Sequence, residues 1–179
     1  MVTNVSNRKV AVLATDGVEQ VELTAPVKAL REAGAQVTVI ALSGRRIQGF
    51  NHQDKGDSIP ADCELSDVRA DQFDALVLPG GVSNPDTLRT NREAVAFVRH
   101  FVTTQKLIAA ICHGPWTLIE AEGVRGRRVT SWPSLRTDLT NAGAHWSDET
   151  CVVDGNLVTS RKPDDLPTFN RQFIEMLAA

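Results

Sequence analysis

Several large functional classes are closed to this chain by what it lacks. No apolar run approaches the roughly 20 residues of a membrane-spanning helix, and the opening MVTNVSNRK has no apolar core of the secretory-leader kind. Neither GxGxxG nor GxxxxGK occurs, which leaves no glycine-rich phosphate cradle. Excess positive charge is missing too. Nineteen Lys and Arg stand against 22 Asp and Glu, giving a net charge of -3, which argues against electrostatic capture by nucleic acid. Arg125, Arg127 and Arg128 form only a local cluster, expected as a solvated loop. The three cysteines, Cys63, Cys112 and Cys151, are odd in number and contain no CxxC pair, as reduced thiols in the cytoplasm would be. His52, His100 and His145 have no metal-ligand spacing and are expected to be structural or surface residues; neither metal nor cofactor is implied. Internal repeats, low-complexity tracts and linkers are absent as well.

What is present is 179 residues with 42% hydrophobic and 23% charged side chains, enough for one buried core and too little for two ordinary domains. A single domain over 1–179 is expected. KVAVLAT (9–15), QVTVIAL (36–42) and DALVLPGG (74–81) have the apolar character of buried strands, and 20–33 places Leu23, Val27 and Leu30 on one helical face before Gly34 stops it. The polar stretch 43–57 is expected as a hairpin on the sheet edge. Asn91 can cap a helix running to about 104, and 134–143 and 163–177 are further helices around a 151–160 hairpin. Strands alternating with helices predict an α/β, doubly wound, mainly parallel sheet covered on both faces. Ligands in such sheets bind outside the carboxyl ends of the strands. Three segments are thereby expected at one crevice: Asp16 to Glu22, Gly80 to Asp86, and the turn at Cys112.

That turn carries the chemistry. In LIAAICHGPW (107–116) an apolar strand ends in Cys112, Gly114 permits a tight turn, and Pro115 suits the first position of a helix over 115–121. The spacing is that of a nucleophile elbow with Cys for Ser and one flanking glycine; the plain alternative is a buried, inert thiol. A free thiol with pKa ~8.5 is only about 3% thiolate at pH 7, so a lowered pKa is expected of a nucleophile. A helix N-terminus supplies only ~0.3–1 kcal/mol, leaving room for a neutral carboxylic acid donating to the sulfur. Glu19 and Glu22 are the available acids, unless they merely complement the helix dipole. The backbone N–H of His113 and that of Gly81 are candidate oxyanion donors. The His113 imidazole has to bend back to act as a base and needs an orienting acceptor, for which Asp86 is nearest by segment.

AICHGP, DGVEQVEL, LVLPGG and the long run from Arg127 to Leu166 together make the whole chain resemble the PfpI family of intracellular proteases and general stress proteins. That family is similar to the parkinsonism-associated deglycase and to class I glutamine amidotransferase domains. The resemblance implies a flavodoxin-like fold, Cys112 as nucleophile, His113 as its adjoining histidine and Glu22 as the acid contacting the thiol. It implies that an acid after LPGG reaches the histidine of a neighbouring subunit; Asp86 stands near that place, one residue displaced and Asp rather than Glu. A homodimer or larger assembly is implied, with a thiol easily oxidised to the sulfinic acid. Peptidase, glutathione-independent glyoxalase, deglycase and chaperone activities all occur across the family. Glutaminase activity is disfavoured, because His145-Trp146-Ser147 has Ser where a Glu is needed. The expected function is a cytoplasmic, stress-associated cysteine hydrolase acting on small reactive carbonyl compounds or their protein adducts. A peptidase, whose substrate would be a peptide, is the alternative enzyme, and a redox-sensing or chaperone-like protein is the non-enzyme alternative.

Overall fold

Short runs of Val, Ile, Leu and Ala form the strands of a seven-stranded sheet: β1 (Lys9–Ala14), β2 (Gln36–Ala41), β3 (Cys63–Glu64), β4 (Ala75–Leu78), β5 (Leu107–Ile111), β6 (Cys151–Asp154) and β7 (Leu157–Ser160). These belong to a computed structural model that describes residues 5–179; residues 1–4, where the MVTNVSNRK segment begins, lie outside the described residues. The central strands show no polar alternation because both faces are covered. The order is β6-β7-β5-β4-β1-β2-β3, parallel throughout except for β6 against β7.

Among the described residues six α-helices flank the sheet: α1 (Gln20–Glu32), α2 (Ser83–Thr90), α3 (Arg92–Thr103), α4 (Pro115–Glu120), α5 (Arg136–Asn141) and α6 (Leu166–Ala178). Side-chain alternation along β1 separates two cores. Val10, Val12 and Ala14 join Leu23, Val27 and Leu30 of α1 and Phe169 and Phe173 of α6. Ala11 and Leu13 join Leu88, Phe97, Val98, Phe101, Leu118 and Leu139 from α2 to α5. Each fully buried Leu or Phe contributes roughly 1.5–3 kcal/mol of transfer free energy, and a one-residue register slip would exchange the two sets. The chain runs outward from β1 to β2 and then returns to β4 on the other side of β1, so the strand order reverses between β1 and β4. A crevice opens at that reversal.

Asn91 caps α3 as expected, its Oδ1 accepting from the Ala94 N–H at 2.9 Å. Other local expectations need correction. The hairpin is Arg46–Asn51 with Asp54–Pro60, and it pairs with Val18–Glu19 in a separate three-stranded sheet; the edge of the main sheet is β3. Helix α2 lies where only a turn was anticipated. The arginine cluster is not a free loop. Arg128 joins a two-stranded pairing of 128–129 with 145–146, and Asp154 Oδ2 accepts from Arg127 Nε at 3.1 Å and from the Arg128 N–H at 2.9 Å.

Candidate active site

Cys112 has φ +62°, a left-handed conformation unfavourable for a residue with a Cβ. The strand has to become a helix within three residues, and the surroundings hold the backbone in place. The Cys112 N–H donates to Ser160 O of β7 and its carbonyl accepts from the Trp132 N–H, both at 3.0 Å. Gly114 is required here because a Cβ would stand 2.4 Å from Leu78 O. The expected elbow is thus present, with its sulfur nearly buried.

His113 does bend back. Its Nδ1 lies 3.2 Å from Cys112 Sγ, and its Nε2 lies 3.4 Å from Ser134 Oγ. Trp132 stacks on the imidazole at 6.1 Å, and Trp116 meets it edge-on at 5.2 Å. Burial among these rings lowers the His113 pKa to about 4, so the ring is neutral at pH 7 and able to accept a proton.

Glu22 is fully buried on the first turn of α1. Its Oε2 accepts from the Gly80 N–H at 2.9 Å, while Oε1 has no partner in full hydrogen-bond geometry. Burial, and then the negative charge of Glu19, raise its pKa to about 8; the Gly80 N–H and the Cys112 thiol act in the opposite direction. A protonated carboxyl is what this environment favours. Gly80 leaves no room for anything larger: a Cβ there would lie 2.5 Å from Glu22 Oε2 and 2.6 Å from the Cys112 Cβ.

The expectation of a lowered thiol pKa is overturned in direction. Burial and then the proximity of Glu22 push the Cys112 thiol up, against the opposing pull of the Gly81 and His113 backbone N–H groups, which bond to the sulfur. Desolvation of the thiolate outweighs these donors. The Glu22 carboxyl, the Cys112 thiol and the His113 imidazole are therefore each neutral at rest.

Gly81 adopts φ +76° and packs against the 17–19 turn so closely that a Cβ would lie 2.2 Å from Gly17 O. Asn84, which the sequence did not single out, fixes this junction. Fully buried, it donates to Pro79 O at 3.0 Å and Gly80 O at 2.9 Å and accepts from the Thr15 N–H at 2.8 Å. It ties the turn after β1 to the turn after β4. Its only sequence signal was a polar residue just beyond LPGG.

A cavity of about 300 Å³ covers the sulfur, walled by Glu19, Glu22, His52, Gln53, Gly81, Val82, Cys112, His113, Trp132 and Pro163. Glu19 Oε2 accepts from the His52 N–H at 3.0 Å, so the hairpin tip roofs the site. His52 and Trp132 arrive from segments that local pattern gave no reason to place here. Asp86 is exposed on α2 and makes no ion pair or hydrogen bond with His113, whose far nitrogen faces Ser134 instead. A larger groove of about 630 Å³ runs between α1 and the hairpin, with an apolar floor of Leu23, Val27 and Val39, and no cysteine or histidine is among the described residues lining it. The described residues include no cluster of His, Cys, Asp and Glu suited to a metal, and no helix long and apolar enough to cross a membrane.

A mainly parallel sheet flanked by helices, with a strained cysteine at the end of a central strand, is a flavodoxin-like α/β architecture carrying a thiol elbow. The chain belongs to the DJ-1/PfpI family, whose profile matches residues 8–176. It is 45% identical over 172 residues to a Bacillus subtilis protein named "Putative cysteine protease YraA", covering 96% of this chain and 99% of that one. It is 44% identical over 176 residues to "Protein/nucleic acid deglycase 2" of Escherichia coli, covering 97% and 99%. Among solved structures, Drosophila melanogaster DJ-1beta superposes with a TM-score of 0.88 at 32% identity, covering 96% of this chain and 90% of that one. A two-domain Anabaena variabilis protein with DJ-1/ThiJ/PfpI-like and ferritin-like domains also gives 0.88, at 39% identity; the match covers 95% of this chain and 48% of that one.

Proposed function

We propose that the chain is a cysteine hydrolase acting on small reactive carbonyl compounds or the adducts they leave on proteins. The observation that carries this reading is the 3.2 Å approach of a neutral His113 Nδ1 to the Cys112 sulfur beneath a cavity of about 300 Å³. With the thiol protonated at rest, His113 takes its proton as the C–S bond forms, and no standing thiolate is needed. The carbonyl oxygen gains the negative charge, which the Gly81 and His113 N–H groups are placed to receive from the sulfur side of the cavity. With methylglyoxal as substrate, transfer of hydrogen from C1 to C2 of the hemithioacetal gives a thioester, and one water releases lactate and the thiol. Glu22, as the protonated neighbour, is the second proton carrier of that sequence. The reading takes 1–179 as one domain working in the cytoplasm as a homodimer or larger assembly; the deglycase name of a close relative supports the chemistry.

The protease name of the other relative favours peptidase activity as a second reading. Expulsion of a poor amine leaving group needs an oriented imidazolium, which Asp86 from a neighbouring subunit would have to provide. The test is turnover of methylglyoxal and of a fluorogenic peptide by the parent, Cys112→Ala and Asp86→Ala. The hydrolase reading expects lactate formation that Cys112→Ala abolishes. Peptide cleavage lost in Asp86→Ala would support the second reading, and absence of both activities would favour a redox-sensing or chaperone-like role.

A further inference from the structure

We propose that Glu19 makes the cavity above Cys112 selective for neutral and cationic carbonyl compounds and exclusive of carboxylated or phosphorylated ones. This deepens the carbonyl-hydrolase reading and rests on it. Glu19 is only 8% exposed, forms part of the cavity wall, and is held at both ends: its N–H donates to Gly80 O at 3.4 Å and its Oε2 accepts from the His52 N–H at 3.0 Å. A carboxylate fixed in this way cannot swing out of the site. Its charge is felt at the neighbouring Glu22 on the same wall, which it helps keep protonated.

The other wall groups do not balance it. Glu22 and His113 are both neutral at pH 7, and no Lys or Arg is among the described residues lining the cavity. The His52 ring is 85% exposed, with Nδ1 4.0 Å from Glu19 Oε1, so solvent screens it. The cations flanking Pro163 are engaged elsewhere: Arg161 pairs with Asp148 and Asp165, and Lys162 with Asp164. The remaining side chains of the wall, Gln53, Val82, Trp132 and Pro163, carry no charge to offset it. In such a partly dry site an anionic substrate group meets unscreened repulsion, whereas an adduct on a lysine or arginine side chain does not.

Alkylation of Cys112 by neutral iodoacetamide and anionic iodoacetate tests this without requiring turnover. The two reagents are close in size and undergo the same displacement: the sulfur bonds to the methylene carbon, iodide leaves and the thiol proton departs. The iodoacetamide-to-iodoacetate rate ratio at each cysteine is read by mass spectrometry at pH 7 and divided by the same ratio for the uncharged reference thiol N-acetylcysteine amide. The expected preference for iodoacetamide at Cys112 is about tenfold above that reference, and Glu19→Gln, whose amide oxygen still accepts from His52, should reduce it several-fold while leaving the ratio at Cys63 unchanged. A parent ratio equal to the reference overturns the proposal, whether or not the variant folds, as does a ratio unmoved in a folded Glu19→Gln. Methylglyoxal turnover measured on the same samples separates the two readings: charge selection without turnover defeats the hydrolase reading alone.

Discussion

His113 Nδ1 stands 3.2 Å from the sulfur of Cys112, its immediate neighbour in sequence, because the left-handed backbone at Cys112 turns two consecutive side chains toward each other. In an extended strand they would point to opposite faces. The strained residue thus creates the acid–base pair.

The pH dependence of methylglyoxal kcat/KM is expected to be bell-shaped, with apparent limbs near pH 4 and pH 8. Below about 4 a protonated His113 cannot accept the thiol proton; above about 8 an ionised Glu22 opposes charge on the sulfur. Glu22→Gln should remove the alkaline limb and leave the acid one. An alkaline limb that persists near 8 in that variant assigns it to another group.

Stability should respond to Glu22 in the opposite sense from an ordinary paired carboxylate. Its folded pKa is raised from 4.5 to about 8, so as pH rises above 4.5 the unfolded chain loses a proton that the folded one keeps, and stability falls until about pH 8. Glu22→Gln avoids this cost and should stabilise the protein by about 1–3 kcal/mol at pH 7.5, shrinking toward pH 5. Denaturant unfolding at the two pH values checks it; an equal or lower stability at pH 7.5 refutes the protonated Glu22.

Cys112→Gly and Cys112→Ala both remove the sulfur, but only Ala keeps a Cβ at φ +62°. The glycine variant should be more stable than the alanine one by about 1 kcal/mol, the reverse of their order in a relaxed strand. Paired thermal melts at one pH decide this, and alanine being the more stable would mean the elbow carries no strain.

Asn84→Leu should cost about 2–4 kcal/mol, because Pro79 O, Gly80 O and the Thr15 N–H lose their partner in a dry environment. Activity should fall further than the stability loss requires, since the Gly80 and Gly81 amides would no longer be held at Glu22 and Cys112. Full activity in folded Asn84→Leu would show that the turn holds its shape without this side chain.

The strands KVAVLA and LIAAI, the caps at Asn91 and Gly34, and the strand–Cys–His–Gly–Pro turn were all legible in the chain, because each depends on residues within a few positions of one another. The mainly parallel, doubly wound sheet followed from the strand–helix alternation, and with it the convergence of the segments bearing Glu22, Gly81 and Cys112; the strand order did not. Tertiary structure alone decided the rest. The hairpin tip with His52, Trp132 beyond α4, Ser134 behind His113 and the buried Asn84 arrive through long-range packing that carries no local period. The direction of the Cys112 pKa was beyond sequence for the same reason: it depends on how completely water is excluded from the sulfur. Desolvation is a property of the assembled walls, and no spacing along the chain encodes it.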